Sequence, residues 1–313
     1  MCLIALAIEQ HPRFPLVVAS NRDEFFARPT ARLGWWTPEP GVPDVLSGRD
    51  LQSGGTWLGM TAHGRMAMLT NVRGGRAHEA DAPSRGKIVT DWLAARESTG
   101  DFWTRTALSG HNGFNLIAAD FRRGECFWAS NVDGQAKRLG PGLYGLSNAG
   151  LDAPWPKVVA LKQRVREALD SSLTIDALAA QLFSALGDRS VATDDALPRT
   201  GIPLTWERQL SAAFIRTPDE RYGTRCSTVV ITERSARQPM THVFERSFNS
   251  VGAVALLRSS SLRNWPPRDR EGELVEVLDD LPLLGSDRPR TATDTVNHRS
   301  RVRSLRGPTP TAR

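Results

Sequence analysis

The chain has 313 residues, 40% of them hydrophobic, with 9 Trp and 11 Phe, a composition that excludes a disordered protein and supplies the core of one large or two small domains. The formal net charge is +6, yet from Gly285 onward seven Arg stand against two Asp, so the surplus sits in the tail and nucleic-acid binding by the body is not indicated. Membrane spans, disulfide frameworks and zinc sites are excluded too: no apolar stretch is long enough, and Cys2, Cys126 and Cys226 form no Cys-x-x-Cys pair. The run Leu3–Ile8 lacks the basic lead-in and cleavage site of a secretory signal, so a reducing, cytoplasmic setting is expected.

The first element is a near-continuous apolar run, Cys2–Ile8, which reads as a strand buried on both faces. Pro12 and Pro15 interrupt the chain, and a second apolar run, Leu16–Ala19, leads into Ser20-Asn21-Arg22-Asp23-Glu24. Folded as a hairpin about Pro12, partners have positions summing to about 24, which puts Cys2 opposite or nearly opposite Arg22. A Trp- and Pro-rich loop, Trp35–Pro43, comes next, then Ser47-Gly48-Arg49-Asp50 and Gly54-Gly55-Thr56-Trp57-Leu58-Gly59. The glycine pattern is neither a Walker A motif nor a dinucleotide fingerprint and reads as a turn feeding a strand, Trp57–Thr61, paired with Met66–Asn71. Ser84-Arg85-Gly86-Lys87 matches Ser-x-x-Lys but lacks the companion motifs of penicillin-binding enzymes, so Ser84 reads as the cap of a helix through Arg96.

Phe114–Asp120 and Glu125–Asn131 form a second hairpin, and a short strand, Leu143–Ser147, runs into Asn148. Helices follow at Pro156–Asp170, with Pro in the first turn, and at Thr174–Leu186, closed by Gly187. A polar loop precedes a short helix, Trp206–Phe214, and the last clear elements are strands Arg225–Glu233 and Thr241–Phe248. Strands at both ends, helices between them and mostly hairpin connections give an α+β layered architecture. Residues 1–249 read as the domain. Residues 250–313, apolar without a sustained period and then rich in Arg, Pro, Ser and Thr, read as a loosely attached or disordered tail, with a basic arm as the sharper alternative.

Cys2 is the candidate nucleophile. Removal of Met1 would leave it with a free α-amine, whose pKa of roughly 7.7–8.0 suits a general base, and Arg22 nearby would favour the thiolate. The plainer reading is a small buried hydrophobe with Met1 retained. Asp23 either orients the amine or thiol or simply pairs with Arg22. Asn71 and Asn148 end predicted strands, where they can donate to an oxyanion or merely form turns. Arg225 opens a strand, to hold an anion or depress a thiol pKa, or to pair with a surface acid.

Ten segments carry a resemblance. They include Met1-Cys2-Leu3-Ile4, Ser20-Asn21-Arg22-Asp23-Glu24-Phe25, Ser47-Gly48-Arg49-Asp50-Leu51, Gly54–Gly59, Leu69-Thr70-Asn71, Tyr144–Asn148, Asp152–Lys157 and Tyr222–Thr228. In order and spacing, from Met1 to about Phe248, the chain resembles the NRDE family, whose eukaryotic members are called transport and Golgi organisation proteins. The resemblance implies an N-terminal-nucleophile-hydrolase-like fold, a four-layer αββα sandwich of two antiparallel sheets. More distantly the pattern is similar to choloylglycine hydrolases and penicillin V acylases. That likeness implies Cys2 as nucleophile, Arg22 and Asp23 as the second-strand pair, Asn71 and Asn148 as the oxyanion asparagines and Arg225 as the late arginine.

Two functions follow as expectations. One is a cysteine amidohydrolase cleaving a linear C–N bond, which requires no cofactor. The other is a haem or acyl-thioester binding and trafficking protein, with Trp35, Trp36 and Trp57 helping to line its pocket. Either way the partner is a small-molecule ligand or substrate.

Overall fold

The apolar opening run folds as expected. A computed structural model describes residues 2–74, 79–132, 134–235, 238–267 and 276–278. In it β1 (Cys2–Ile8) and β2 (Leu16–Phe25) pair antiparallel from Cys2↔Arg22 to Ile8↔Leu16, a register in which partner positions sum to 24. The chain then builds a sheet in strict sequence order from β3 (Thr30–Trp36), β4 (Val45–Asp50), β5 (Leu58–Thr61), β6 (Arg65–Asn71), β7 (Phe114–Asp120), β8 (Glu125–Ser130) and β9 (Gln135–Arg138). Helices α1 (Arg85–Ala94) and α2 (Thr99–Ala107) interrupt it between β6 and β7.

Strand β10 (Gly142–Leu146) returns to the outer side of β1. Helices α3 (Pro156–Ser171), α4 (Ile175–Leu186) and α5 (Leu204–Gln209) follow, and then β11 (Tyr222–Glu233), β12 (Met240–Phe248), β13 (Val254–Arg263) and β14 (Glu276–Leu278). The first sheet thus has the order β10-β1-β2-β11-β12-β13-β14.

Period-two alternation explains the layers. Cys2, Ile4 and Leu6 of β1 and Leu16 and Val18 of β2 face the second sheet, meeting Leu46, Met60, Met66, Met68 and Ile117. Leu3, Ala5, Ala7, Val17 and Ala19 point the other way, onto Val158, Leu161, Val165, Leu182 and Leu186 of α3 and α4. The outer face of the second sheet packs against Ile88, Val89, Trp92 and Phe102 of α1 and α2. The result is a four-layer αββα sandwich. Strand β1 and the first four residues of β2, Leu16–Ala19, are apolar because both their faces are covered, and the rest of β2 carries the buried polar residues Ser20, Asn21, Arg22 and Asp23.

Three expectations change. The stretch that reads as a loop from Trp35 begins inside β3, and Ser47-Gly48-Arg49-Asp50, to which sequence reading assigns no element, belongs to β4; glycine and charge within these strands hide them. The short helix begins earlier and ends at Gln209. Ser84 does occupy the N-cap of α1 but makes no side-chain capping bond, and that helix ends at Ala94.

The domain also does not end at residue 249. β13 pairs with β12 from Met240↔Arg263 to Phe248↔Val254, and beyond it Trp265 is fully buried, its Nε1 donating to the Thr61 carbonyl at 2.8 Å. Across the sheets, buried Glu245 of β12 accepts the Leu33 N–H at 2.8 Å and Arg258 of β13 donates to the Leu33 carbonyl at 2.9 Å. That clasp satisfies both backbone groups of a residue at the irregularity in β3. The expectation of a disordered tail at 268–275 and 279–313 lies outside the described residues. No helix among the described residues is long and apolar enough to cross a membrane.

Candidate active site

Strand alternation puts Cys2 and Arg22 side by side on the inter-sheet face. Cys226 of β11 pairs with Arg22 from the other side, so the two thiols flank the guanidinium from neighbouring strands. All three cysteines are free thiols. Arg22 is buried and its guanidinium is fixed three ways. It donates to Thr30 Oγ1 at 3.1 Å and to Asp50 Oδ2 at 3.4 Å, and it lies over the Trp57 ring at 4.4 Å. Asp50 also takes the Arg28 Nε–H at 2.6 Å on Oδ2, while its Oδ1 accepts the N–H groups of Gln52 and Ser53.

The glycine-bearing motifs build this platform. A Cβ on Gly48 would stand 2.4 Å from the Trp57 indole, so only glycine lets that ring lie beneath Arg22. A Cβ on Gly55 would stand 2.3 Å from the Gly86 carbonyl carbon, so glycine lets the first turn of α1 press against this loop.

The resulting cleft has a volume of about 380 Å³ and is lined by Cys2, Arg22, Asp23, Glu24, Arg28, Asp50, Trp57, Asn71 and Arg85 among others. Three arginines and three acidic residues are among those lining it. Burial pushes the Cys2 thiol up. Asp23 and Glu24 add to that rise, and Arg22 works against it without reversing it.

Asp23 falls on the other face of β2, toward α3. Its Oδ1 accepts from Thr224 Oγ1 at 2.7 Å and its carbonyl accepts from the Tyr222 hydroxyl at 3.1 Å. Burial raises its carboxyl, and Lys157 is the strongest influence opposing that rise. Lys157, in the first turn of α3, is itself buried and donates to the Leu210 carbonyl at 2.9 Å. Burial lowers its ammonium to about 8, with Asp23 acting in the other direction. Arg73 and Glu207, paired at 2.7 Å and both buried, complete a layer of four interacting charges.

The predicted site residues therefore divide. Cys2, Arg22, Asp23 and Asn71 line the cleft together. Asn148 is fully buried behind it, its Nδ2 donating to the Asn71 carbonyl at 2.8 Å, which makes it a support for Asn71. Arg225 is not in the lining. It sits at a bulge in β11, between Thr224 and Cys226, where the extra residue breaks the alternation. Its guanidinium donates to the carbonyls of Phe25 and Arg28 at 2.7 and 3.0 Å, so it holds that turn and not the thiol. Of the three tryptophans, Trp57 lines the cleft, whereas Trp35 and Trp36 pack against cores.

Sequence reading missed Arg85, Arg28 and Lys157. Lys157 carried a signal: a cation in a first helical turn opposes the helix dipole, so it needs an acidic partner from elsewhere.

The family model for Transport and Golgi organisation 2 matches residues 1–250. The chain belongs to that family. Among relatives, the Transport and Golgi organization protein 2 homolog of Bos taurus is 35% identical over 259 residues, covering 77% of this chain and 92% of the bovine protein. The Homo sapiens homolog is 31% identical over 289 residues, covering 87% and 98%. Among solved structures, a variant of conjugated bile acid hydrolase from Clostridium perfringens aligns with a TM-score of 0.47 at 10% identity, covering 92% of this chain and 99% of that one. In this family member the quoted motifs do structural work as well: Gly48 and Gly55 shape the cleft, and Asp50 anchors two of its arginines.

Proposed function

We propose that the cleft is an N-terminal-nucleophile site in which Cys2, freed of Met1, hydrolyses a linear C–N amide bond of a small molecule. One observation carries this reading: Cys2 heads β1 opposite Arg22, in a polar cleft that Asn71 also lines.

The Cys2 thiol gives up its proton to its own α-amine as the sulfur attacks the carbonyl carbon. A C–S bond forms and the carbonyl π pair moves onto oxygen, within a cleft where the Asn71 amide can donate to it. Collapse breaks the C–N bond, and the ammonium returns its proton to the leaving amine. Water then attacks the thioester with the amine again as base, releasing the acid and restoring the thiol.

The lining favours this reading over a haem- or acyl-thioester-carrying protein. Apolar ligands sit in predominantly apolar pockets, whereas here Trp57 and Leu69 are the large apolar side chains among six charged ones. Three free, buried thiols support a reducing, cytoplasmic setting.

Intact-mass measurement before and after iodoacetamide, alongside amine release from a panel of amides, tests the reading. Loss of Met1, an adduct that disappears in Cys2→Ala, and turnover abolished in Cys2→Ala are expected. Met1 retained in active protein, or full turnover in Cys2→Ala, overturns it. Asn71→Ala should lower turnover ~10²-fold or more while leaving the adduct in place.

A further inference from the structure

On this amide-cleaving reading of the cleft, we propose that Arg85 is a specificity-determining residue, selecting substrates that carry a carboxylate or phosphate group beyond the scissile carbonyl. Its place is fixed by backbone: Arg85 begins α1, and the contact of Gly55 with Gly86, together with the Thr56 N–H donated to the Gly86 carbonyl at 3.2 Å, pins that first turn to the cleft wall. Behind it lies a second cavity of about 250 Å³, lined by Glu79, His111, Asn112 and Asn131 among others. Arg85 and Asn112 line both cavities, so they stand where a ligand reaching from Cys2 into the second chamber must pass. Asn112 is committed to structure, exchanging two hydrogen bonds with the Glu79 backbone at 2.9 and 2.8 Å.

The charges single out Arg85. Arg22 and Arg28 share Asp50, at 3.4 and 2.6 Å, with Glu24 at 3.9 and 4.0 Å. Asp23 faces the buried layer of Lys157 and Arg73. Among the described residues, no carboxylate lies within ion-pair distance of Arg85, and its hydrogen bond is to the Gly113 carbonyl at 3.2 Å. Burial lowers its pKa, and Glu24 and Cys2 oppose that only through space. A half-buried guanidinium that among the described residues bonds a backbone carbonyl and touches no acid is matched by a planar or tetrahedral anion on the ligand.

Two alkylating agents that differ in charge test this directly. In the wild-type chain, the Cys2 rate ratio of iodoacetate to iodoacetamide should exceed that of free cysteine by roughly tenfold and fall as salt is raised. Arg85→Met should bring the ratio back to the free-cysteine value, and Arg85→Lys should preserve most of it; taking a ratio cancels any change in thiol ionisation. Calorimetry with succinate and with inorganic pyrophosphate reads the same residue without the thiol and separates a carboxylate site from a phosphate site. Binding of either anion weakened about tenfold in Arg85→Met is expected.

A wild-type ratio equal to that of free cysteine, or a ratio and anion affinity unchanged in Arg85→Met, overturns the assignment. A thiol inert to both reagents, with anion binding still dependent on Arg85, would sink the nucleophile instead and leave the anion site standing.

Discussion

Lys157 and Asp23 show how a cleft residue depends on one behind it. A buried ammonium that loses its neighbouring carboxylate, or the reverse, leaves an uncompensated charge, whereas removing both leaves none. Lys157→Met alone should therefore destabilise the chain by ~3–5 kcal/mol in urea unfolding, and adding Asp23→Asn should recover most of that loss. If the double variant is no more stable than the single, the pair does not interact in this way. The pH dependence has a definite sign. The Lys157 pKa drops from 10.5 to about 8 on folding, so between those values the unfolded chain binds the extra proton. Stability from this group is full above 10.5 and is lost as pH falls toward about 8, with a slope approaching ~1.4 kcal/mol per pH unit. Lys157→Met should remove that slope; an unchanged slope would assign it to other groups. Sequence reading placed Cys2, Arg22 and Asp23 near one another because a tight hairpin allows little else. It could not tell that Asp23 turns toward α3, since Lys157 reaches it from more than a hundred residues away.

At the level of elements, two close approaches decide the shape of the cleft. The loop between β4 and β5 can touch α1 only because position 55 has no side chain. Gly55→Ala forces the Gly86 backbone to move, and it should lower stability by ~1–3 kcal/mol while displacing Arg85. Thermal melting, together with the alkylation ratio described above, would detect both effects. A variant with normal stability and an unchanged ratio would show that α1 is not held there. β1 and the start of β2 were legible because burial on both faces writes the apolar runs Cys2–Ile8 and Leu16–Ala19. β3 and β4 were not, because their residues serve the site as well as the sheet: Gly48 clears space for Trp57, and Asp50 anchors Arg22 and Arg28. Arg225 misled for the same reason in reverse. Its strand was recognisable, but the bulge that breaks the alternation at its position was not.

For the whole molecule, the decisive piece is the last one. β13 covers the edge of β12, Glu245 and Arg258 clasp Leu33 in the opposite sheet, and Trp265 packs edge-on to Phe121 at 5.3 Å between ring centres. Trp265→Ala should cost ~3–5 kcal/mol in urea unfolding. A chain ending at Ser250 should melt lower than the full chain and expose the β12 edge to aggregation, whereas equal melting of the two would make β13 dispensable. Periodicity and turn chemistry by themselves determined the α+β class, the opening hairpin that brings Cys2 opposite or nearly opposite Arg22, the two long helices and the strand end carrying Asn71. These are local consequences of burial and of short connections. Only the tertiary structure decided that residues past 250 complete a sheet, that Asn148 and Arg225 stand outside the cleft, and that Lys157 and Arg85 belong to its surroundings. Each of those depends on which distant strand or helix arrives beside it, and no pattern within a single segment records that.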